Sequence, residues 1–124
     1  MTTINKELKK IIEENVLALA TVDGQGNPHC IAVAFVKVVA GNQLLITDNY
    51  MVETKDNIKK KSKVALSVWN KEWRKDCVGY ALKGVAQYFT TGKQYDAIKN
   101  IPENKHEHCK GAIIVTINKI KRLA

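Results

Sequence analysis

Leu44-Leu45-Ile46-Thr47-Asp48-Asn49-Tyr50-Met51-Val52-Glu53-Thr54-Lys55-Asp56-Asn57-Ile58, running on through Val64-Ala65-Leu66-Ser67-Val68-Trp69, is the stretch that decides the fold. An apolar run ends in hydroxyl and Asx side chains, a helical segment follows, and a second apolar run closes the unit. Strand, turn, helix and strand in that order can build an anion cradle. The first turn of a helix leaves backbone N–H groups without partners, and the Thr54 hydroxyl and Lys55 ammonium fall at the same place.

Upstream, Ile4, Leu8, Ile11 and Ile12 share one helical face, which predicts a short helix over residues 3–14 with Thr2 or Thr3 as its N-cap, closing one end of a barrel. Val16 to Val22 reads as a buried strand. Asp23-Gly24-Gln25-Gly26-Asn27-Pro28 then turns the chain into a long return strand, Cys30 to Val39, and Ala40-Gly41-Asn42 turns it again into Gln43 to Thr47. Past the helix of residues 51–61, Val64 to Trp69 is the fourth strand. Val78 to Thr90 is a fifth that bends at Gly84, Lys93 to Asn100 a brief helix, residues 102–110 a polar loop, and Ala112 to Ile117 the last strand. The expectation is a mainly β chain, a six-stranded antiparallel split or closed β-barrel with two or three short helices, because closure removes exposed edges.

The 124 residues suit one domain spanning 1–124, with surface to spare for pairing with a second copy. Lys plus Arg number 20 against 12 Asp plus Glu, a net charge of +8, and Arg74 and Arg122 are the two arginines. Lysine is a hydrated point charge that attracts phosphate, whereas base-edge reading relies on the arginine fork. Aromatic residues are 6% and fall mostly in apolar strands, which argues against a nucleic-acid surface of aromatics interleaved with lysine. Cys30, Cys77 and Cys109 are odd in number and widely spaced, which favours a reducing, cytoplasmic setting over a disulfide framework. No window approaches the ~20 apolar residues of a membrane span, so no membrane partner is expected.

The run Asp23 to His29, the strand Ile31 to Val39, and Ile46-Thr47-Asp48-Asn49-Tyr50-Met51 through Thr54-Lys55-Asp56-Asn57-Ile58 to Lys63-Val64-Ala65-Leu66 together resemble the pyridoxamine 5′-phosphate oxidase-like, FMN-binding split-barrel superfamily, nearest its minimal one-barrel FMN-binding proteins. The resemblance covers residues 12–120 in order and spacing. It implies a homodimer with FMN held at the subunit interface. It also implies that the second strand lays its backbone along the flavin ring at Val33, Ala34, Phe35 and Val36, while Thr47, Asp48, Asn49, Thr54 and Lys55 hold ribityl and phosphate. Asn57 joins them as a brace. A phosphate dianion calls for hydroxyl and N–H donors together with a balancing cation, which is what those residue types offer. Read without the resemblance, Thr54 is sooner a helix-surface threonine or cap and Lys55 one solvated lysine among many, while Asn57 is equally a helix residue bonded to nearby backbone.

The oxidases themselves carry an arginine early in the second strand, an Arg-Lys pair in the phosphate turn, and a C-terminal substrate segment with Trp and Arg. Here Ile31 and its neighbours are apolar, the turn reads Glu53-Thr54-Lys55, and the sequence stops at Ala124. Vitamin B6 oxidation is therefore not the expectation. The reading is an FMN-dependent oxidoreductase or electron carrier that works with a redox partner or small-molecule substrate, with no catalytic side chain assigned. Its rivals are a basic β-barrel for nucleic acid or another anion, and a deazaflavin- or haem-binding split barrel with His29 or His106 as haem ligand.

Other features read blandly. Lys59-Lys60-Lys61-Ser62-Lys63 is a solvated helix end whose cations complement the macrodipole. Met51 and Ile58 are core contacts, Tyr80 packs or touches a second subunit, and Trp69 and Trp73 are packed indoles flanking a charged turn. His106, His108 and Cys109 suit zinc or copper by type but lack a fourth ligand, so no metal is assigned.

Overall fold

The computed structural model describes residues 2–99, 101, 102 and 109–123. The elements run α1 (Lys6–Glu14), β1 (Leu17–Val22), β2 (Pro28–Val33), β3 (Val36–Ala40), β4 (Gln43–Asp48), α2 (Glu53–Lys60), β5 (Lys63–Trp69), β6 (Gly79–Phe89), α3 (Lys93–Lys99) and β7 (Gly111–Arg122). Asn5, not Thr2 or Thr3, caps α1: its Oδ1 accepts from the Leu8 amide at 2.9 Å, while the Thr2 hydroxyl donates to the Asn118 carbonyl on β7.

The strands form one antiparallel sheet in the order β2-β1-β5-β6-β7-β4-β3. Seven strands replace the expected six because the Cys30 to Val39 run breaks in two. Val33 and Val36 are both buried in the core, and inward positions three apart cannot belong to one strand of period two. Ala34 and Phe35 therefore carry the chain from one edge of the sheet, where β2 pairs with β1, to the other, where β3 pairs with β4. Those edges are not paired with each other among the described residues, so the sheet wraps round its core without closing.

Alternation fixes the core. Leu17 and Leu19 of β1, Val64, Leu66 and Val68 of β5, and Leu82 and Ala86 of β6 point inward and meet Leu8, Ile11 and Ile12 of α1. β4 and the start of β7 lack that alternation because both of their faces are covered. Ile46 and Ile113 join the main core, while Leu45, Ala112 and Ile114 pack against Ile98 and Ile101 in a second cluster beneath α3.

Gly84 does mark a bend. The β6–β7 register shifts between Lys83 and Gly84, leaving Asn118 as the extra residue on β7, and a Cβ on Gly84 would stand 2.2 Å from the Thr116 carbonyl oxygen. Beyond that bulge β7 runs on to Arg122, past the expected end at Ile117, because its polar half pairs with Tyr80 to Lys83.

Trp69 and Trp73 are exposed (46% and 48%), contrary to the packed reading, with the Arg74 guanidinium 4.8 Å from the Trp73 ring. Trp69 occupies an outward position of β5, one step past inward Val68. Tyr80 is buried in the core, and residues 59–63 are exposed as expected. His106 and His108 lie outside the described residues. No described helix is long and apolar enough to cross a membrane.

Candidate functional site: a groove along the edge strand

A groove of about 480 Å³ runs between the edge strand and the segment from the end of β4 into α2. One wall is His29, Ile31, Ala32, Val33, Ala34 and Phe35; the other is Thr47 and Asn49 to Thr54. The apolar side chains supply flat walls, and β2, as an edge strand, turns every second N–H and C=O away from β1.

The second wall is fixed from behind. Asp48 is fully buried: its Oδ1 accepts the Met51 amide at 2.8 Å, its Oδ2 accepts the Tyr88 hydroxyl at 2.5 Å, and its carbonyl accepts the Lys110 amide at 2.8 Å. Lys110 Nζ lies 3.9 Å from Asp48 Oδ1 and donates to the Met51 carbonyl. Three charged or phenolic groups from β4, β6 and the entry to β7 therefore clamp residues 48–51 in a turn closed by the Asp48 side chain. Burial, reinforced by the Asp48 hydrogen bond, pushes the Tyr88 phenol above its ordinary range, so it stays a donor. Gly111 makes room for it, since a Cβ there would come within 2.4 Å of the Tyr88 hydroxyl.

The helix begins beyond that turn, at Glu53 and not at the expected Met51. Val52, at φ −122° and ψ −68°, holds the N-cap position without any side-chain cap. The first amides of α2 are thus left for water or a ligand. Thr47 and Thr54 line the groove, and their hydroxyl oxygens are buried with no hydrogen-bond partner among the described residues. Leaving such a group unmet costs about 1–3 kcal/mol.

Of the residues singled out from the sequence, Val33, Ala34, Phe35, Thr47, Asn49 and Thr54 are brought together on the groove. Val36 is not among them: it is 2% exposed, in the core, and pairs with Ile46. Asp48 stands behind the wall. Lys55 turns its ammonium over the Tyr88 ring at 5.5 Å, as Lys59 does. Asn57 donates to the buried Thr21 hydroxyl at 3.0 Å, tying α2 to β1 as a brace. Met51 packs on the core and also lines the groove.

Sequence reasoning missed Ile31, Ala32, Tyr50, Val52 and Glu53 as lining residues, and Tyr88, Lys110 and Gly111 as supports. For the supports no local signal exists, because the Tyr88–Asp48 and Lys110–Met51 contacts span 40 and 59 residues of chain.

An unclosed antiparallel sheet wrapped round one core, with a groove between its edge strand and a short helix, defines a split-barrel protein. The chain belongs to the pyridoxamine 5′-phosphate oxidase family, whose model matches residues 4–122. It is 30% identical over 124 residues to an uncharacterised protein of Methanocaldococcus jannaschii, covering 97% of this chain and 80% of that one. HupZ of Group A Streptococcus has the same fold at a TM-score of 0.87 and 24% identity, over 97% of this chain and 94% of that one. An FMN-binding protein of Syntrophomonas wolfei matches at 0.75 and 15%, over 94% and 83%. The fold also carries the haem storage protein HutZ of Vibrio cholerae (0.72, 13%, over 96% and 94%) and an F420 reductase (0.68, 20%, over 91% and 94%). The fold family thus includes FMN, haem and F420 proteins, and the fold by itself does not choose among them.

Proposed function

We propose that this chain binds FMN in the groove, as a homodimer, and serves as an oxidoreductase or electron carrier. The observation that carries the reading is the pair of buried, unmet hydroxyls of Thr47 and Thr54 on a groove that also receives the uncapped start of α2. Phosphate and ribityl oxygens meet that demand, and rotation about χ1 brings a threonine hydroxyl to a ligand. Ile31, Val33, Phe35 and Met51 suit an aromatic ring, and the volume lies within the ~300–1,000 Å³ usual for cofactor sites.

In this reading Thr47, Asn49 and Thr54 contact the ligand, Lys55 adds positive charge at the helix start, and Asp48 and Asn57 hold the two halves of the cradle in place. Val33 to Phe35 lie along the ring. Bound FMN supplies the electron or hydride transfer; the chain binds, orients and shields it. The exposed Tyr50 and Val52 at the groove mouth are the surface that a second copy would cover.

The test is the visible spectrum of protein purified without added cofactor, then of protein mixed with FMN. Flavin bands that stay with the protein through gel filtration are the expected result. A Soret band would replace FMN with haem, for which His29, on the groove wall, is the imidazole among the described residues. Failure to retain either would defeat the reading.

A further inference from the structure

The groove is tied across at both ends. At one end the Thr47 amide donates to the Phe35 carbonyl at 3.4 Å; at the other, His29 Nδ1 meets Glu53 Oε2 at 3.2 Å. The strand residues His29 to Val33 and the crossing residues Ala34 and Phe35 separate the two ties.

The second tie is also a partition. His29 and Glu53 are the two residues that the groove shares with a neighbouring cavity of about 300 Å³, whose other walls are Asp23, Asn27, Pro28, Asp56, Asn57 and Lys60. Beyond the partition the chemistry reverses. The carboxylates of Asp23, Glu53 and Asp56 face the single ammonium of Lys60. Hydrogen bonds from the Asn27 amide, the Asn27 side chain and the Gln25 amide hold the Asp23 carboxyl below its ordinary range, so it is ionised at neutral pH. The α2 start therefore welcomes one anionic group on the groove side of His29 and Glu53, and repels the next one.

We infer that His29 and Glu53 set the length of ligand the groove accepts: a flavin ending in one phosphate is taken, and a dinucleotide, whose second phosphate and nucleoside must cross the partition, is turned away. The inference rests on the flavin reading and adds to it the two residues that fix ligand class. A dinucleotide must separate the His29–Glu53 pair and bring its second phosphate among the carboxylates of Asp23, Glu53 and Asp56, whereas the single phosphate of FMN meets Glu53 alone of the three and leaves the pair joined.

The experiment titrates cofactor-free protein with FMN and with FAD, following flavin fluorescence, with a thermal melt of each variant as a check on folding. Wild-type protein is expected to prefer FMN by tenfold or more, which corresponds to ~1.4 kcal/mol. The His29→Ala/Glu53→Ala variant should bring FAD to within about threefold of FMN. Glu53→Gln, which keeps the shape and removes one charge, should move the ratio the same way by a smaller factor. Glu53 is largely exposed, so the single substitution stays informative even if the double variant melts early. Equal affinity of wild-type protein for FMN and FAD would overturn the inference alone, as would an unchanged ratio in folded variants. Wild-type protein that takes neither flavin would overturn the flavin reading, and the inference with it.

Discussion

Two cavities of nearly equal size lie on this protein, and they differ in what their walls lack. The groove beside β2 encloses about 480 Å³; the pocket beside α3, floored by Val39, Leu45, Phe89 and Ile114, encloses about 470 Å³. In the α3 pocket a polar wall residue is already answered, since the Gln43 amide donates to the Thr116 hydroxyl at 3.3 Å. In the groove, Thr47 and Thr54 hold buried hydroxyls that nothing described answers. Volume therefore does not single out a site here, and unmet hydrogen-bonding capacity does.

The largest expected effect comes from removing what holds the groove wall. Asp48→Ala would strip an acceptor from the Tyr88 hydroxyl and the Met51 amide and a counter-charge from Lys110, costing about 3 kcal/mol. The midpoint of thermal unfolding should fall by on the order of 10 °C. Hydrogen exchange should quicken at residues 48–51 while the amides of α3 keep their protection. Equal loosening of both regions would show that the clamp serves the whole fold and not the groove.

The sharper division is between Thr54→Val and Gln43→Leu. Thr54→Val keeps the side-chain shape and deletes the unmet hydroxyl, so the ligand-free protein should gain about 1 kcal/mol while FMN affinity falls roughly tenfold. Gln43→Leu leaves the Thr116 hydroxyl without its donor and should cost under about 1 kcal/mol with no change in FMN affinity. Paired melts and fluorescence titrations read both quantities. A Thr54→Val protein that is less stable and binds FMN normally would erase the contrast between the cavities.

How far the two regions could be read from sequence follows the same division. The inward residues of α1, β1 and β5 announce themselves by period, and the strand–turn–helix at Leu44 to Ile58 contains one whole wall of the groove in one continuous stretch. Gly84, alone in a strand pattern, marks the bend, which the structure makes as a bulge. The break at Ala34 and Phe35 was hidden because a run of β-branched residues looks the same whether it serves one sheet edge or two; the three-residue step from Val33 to Val36 acquires meaning once both are known to face inward. The clamp was hidden more deeply. Asp48 and Asn49 at a strand end are a legible turn signal, but Tyr88 and Lys110 reach the turn through sheet order, and nothing near them in the chain records that they do.

The smallest effect, and the most specific to the clamp, is in alkaline titration. Burial and the Asp48 hydrogen bond raise the Tyr88 phenol above its unfolded value near 10, so the folded state holds this proton more tightly than the unfolded chain does. The stabilisation this gives is fully present below pH ~10 and is lost only as pH rises past the unfolded value toward the folded one. Tyr88→Phe removes that titration along with the hydrogen bond. At neutral pH it should be less stable than wild type by about 1 kcal/mol. Above pH ~10 the gap should narrow, because wild type then loses what the variant never had. Denaturant melts of the two proteins between pH 7 and 11 provide the comparison, with Tyr95→Phe, on α3, as the parallel change in the other region. Tyr95 donates to the Cys109 carbonyl, an uncharged acceptor, at 3.2 Å. A narrowing confined to Tyr88→Phe ties the effect to the charged clamp behind the groove, and curves that stay parallel would mean that the phenol titrates alike in the folded and unfolded chain.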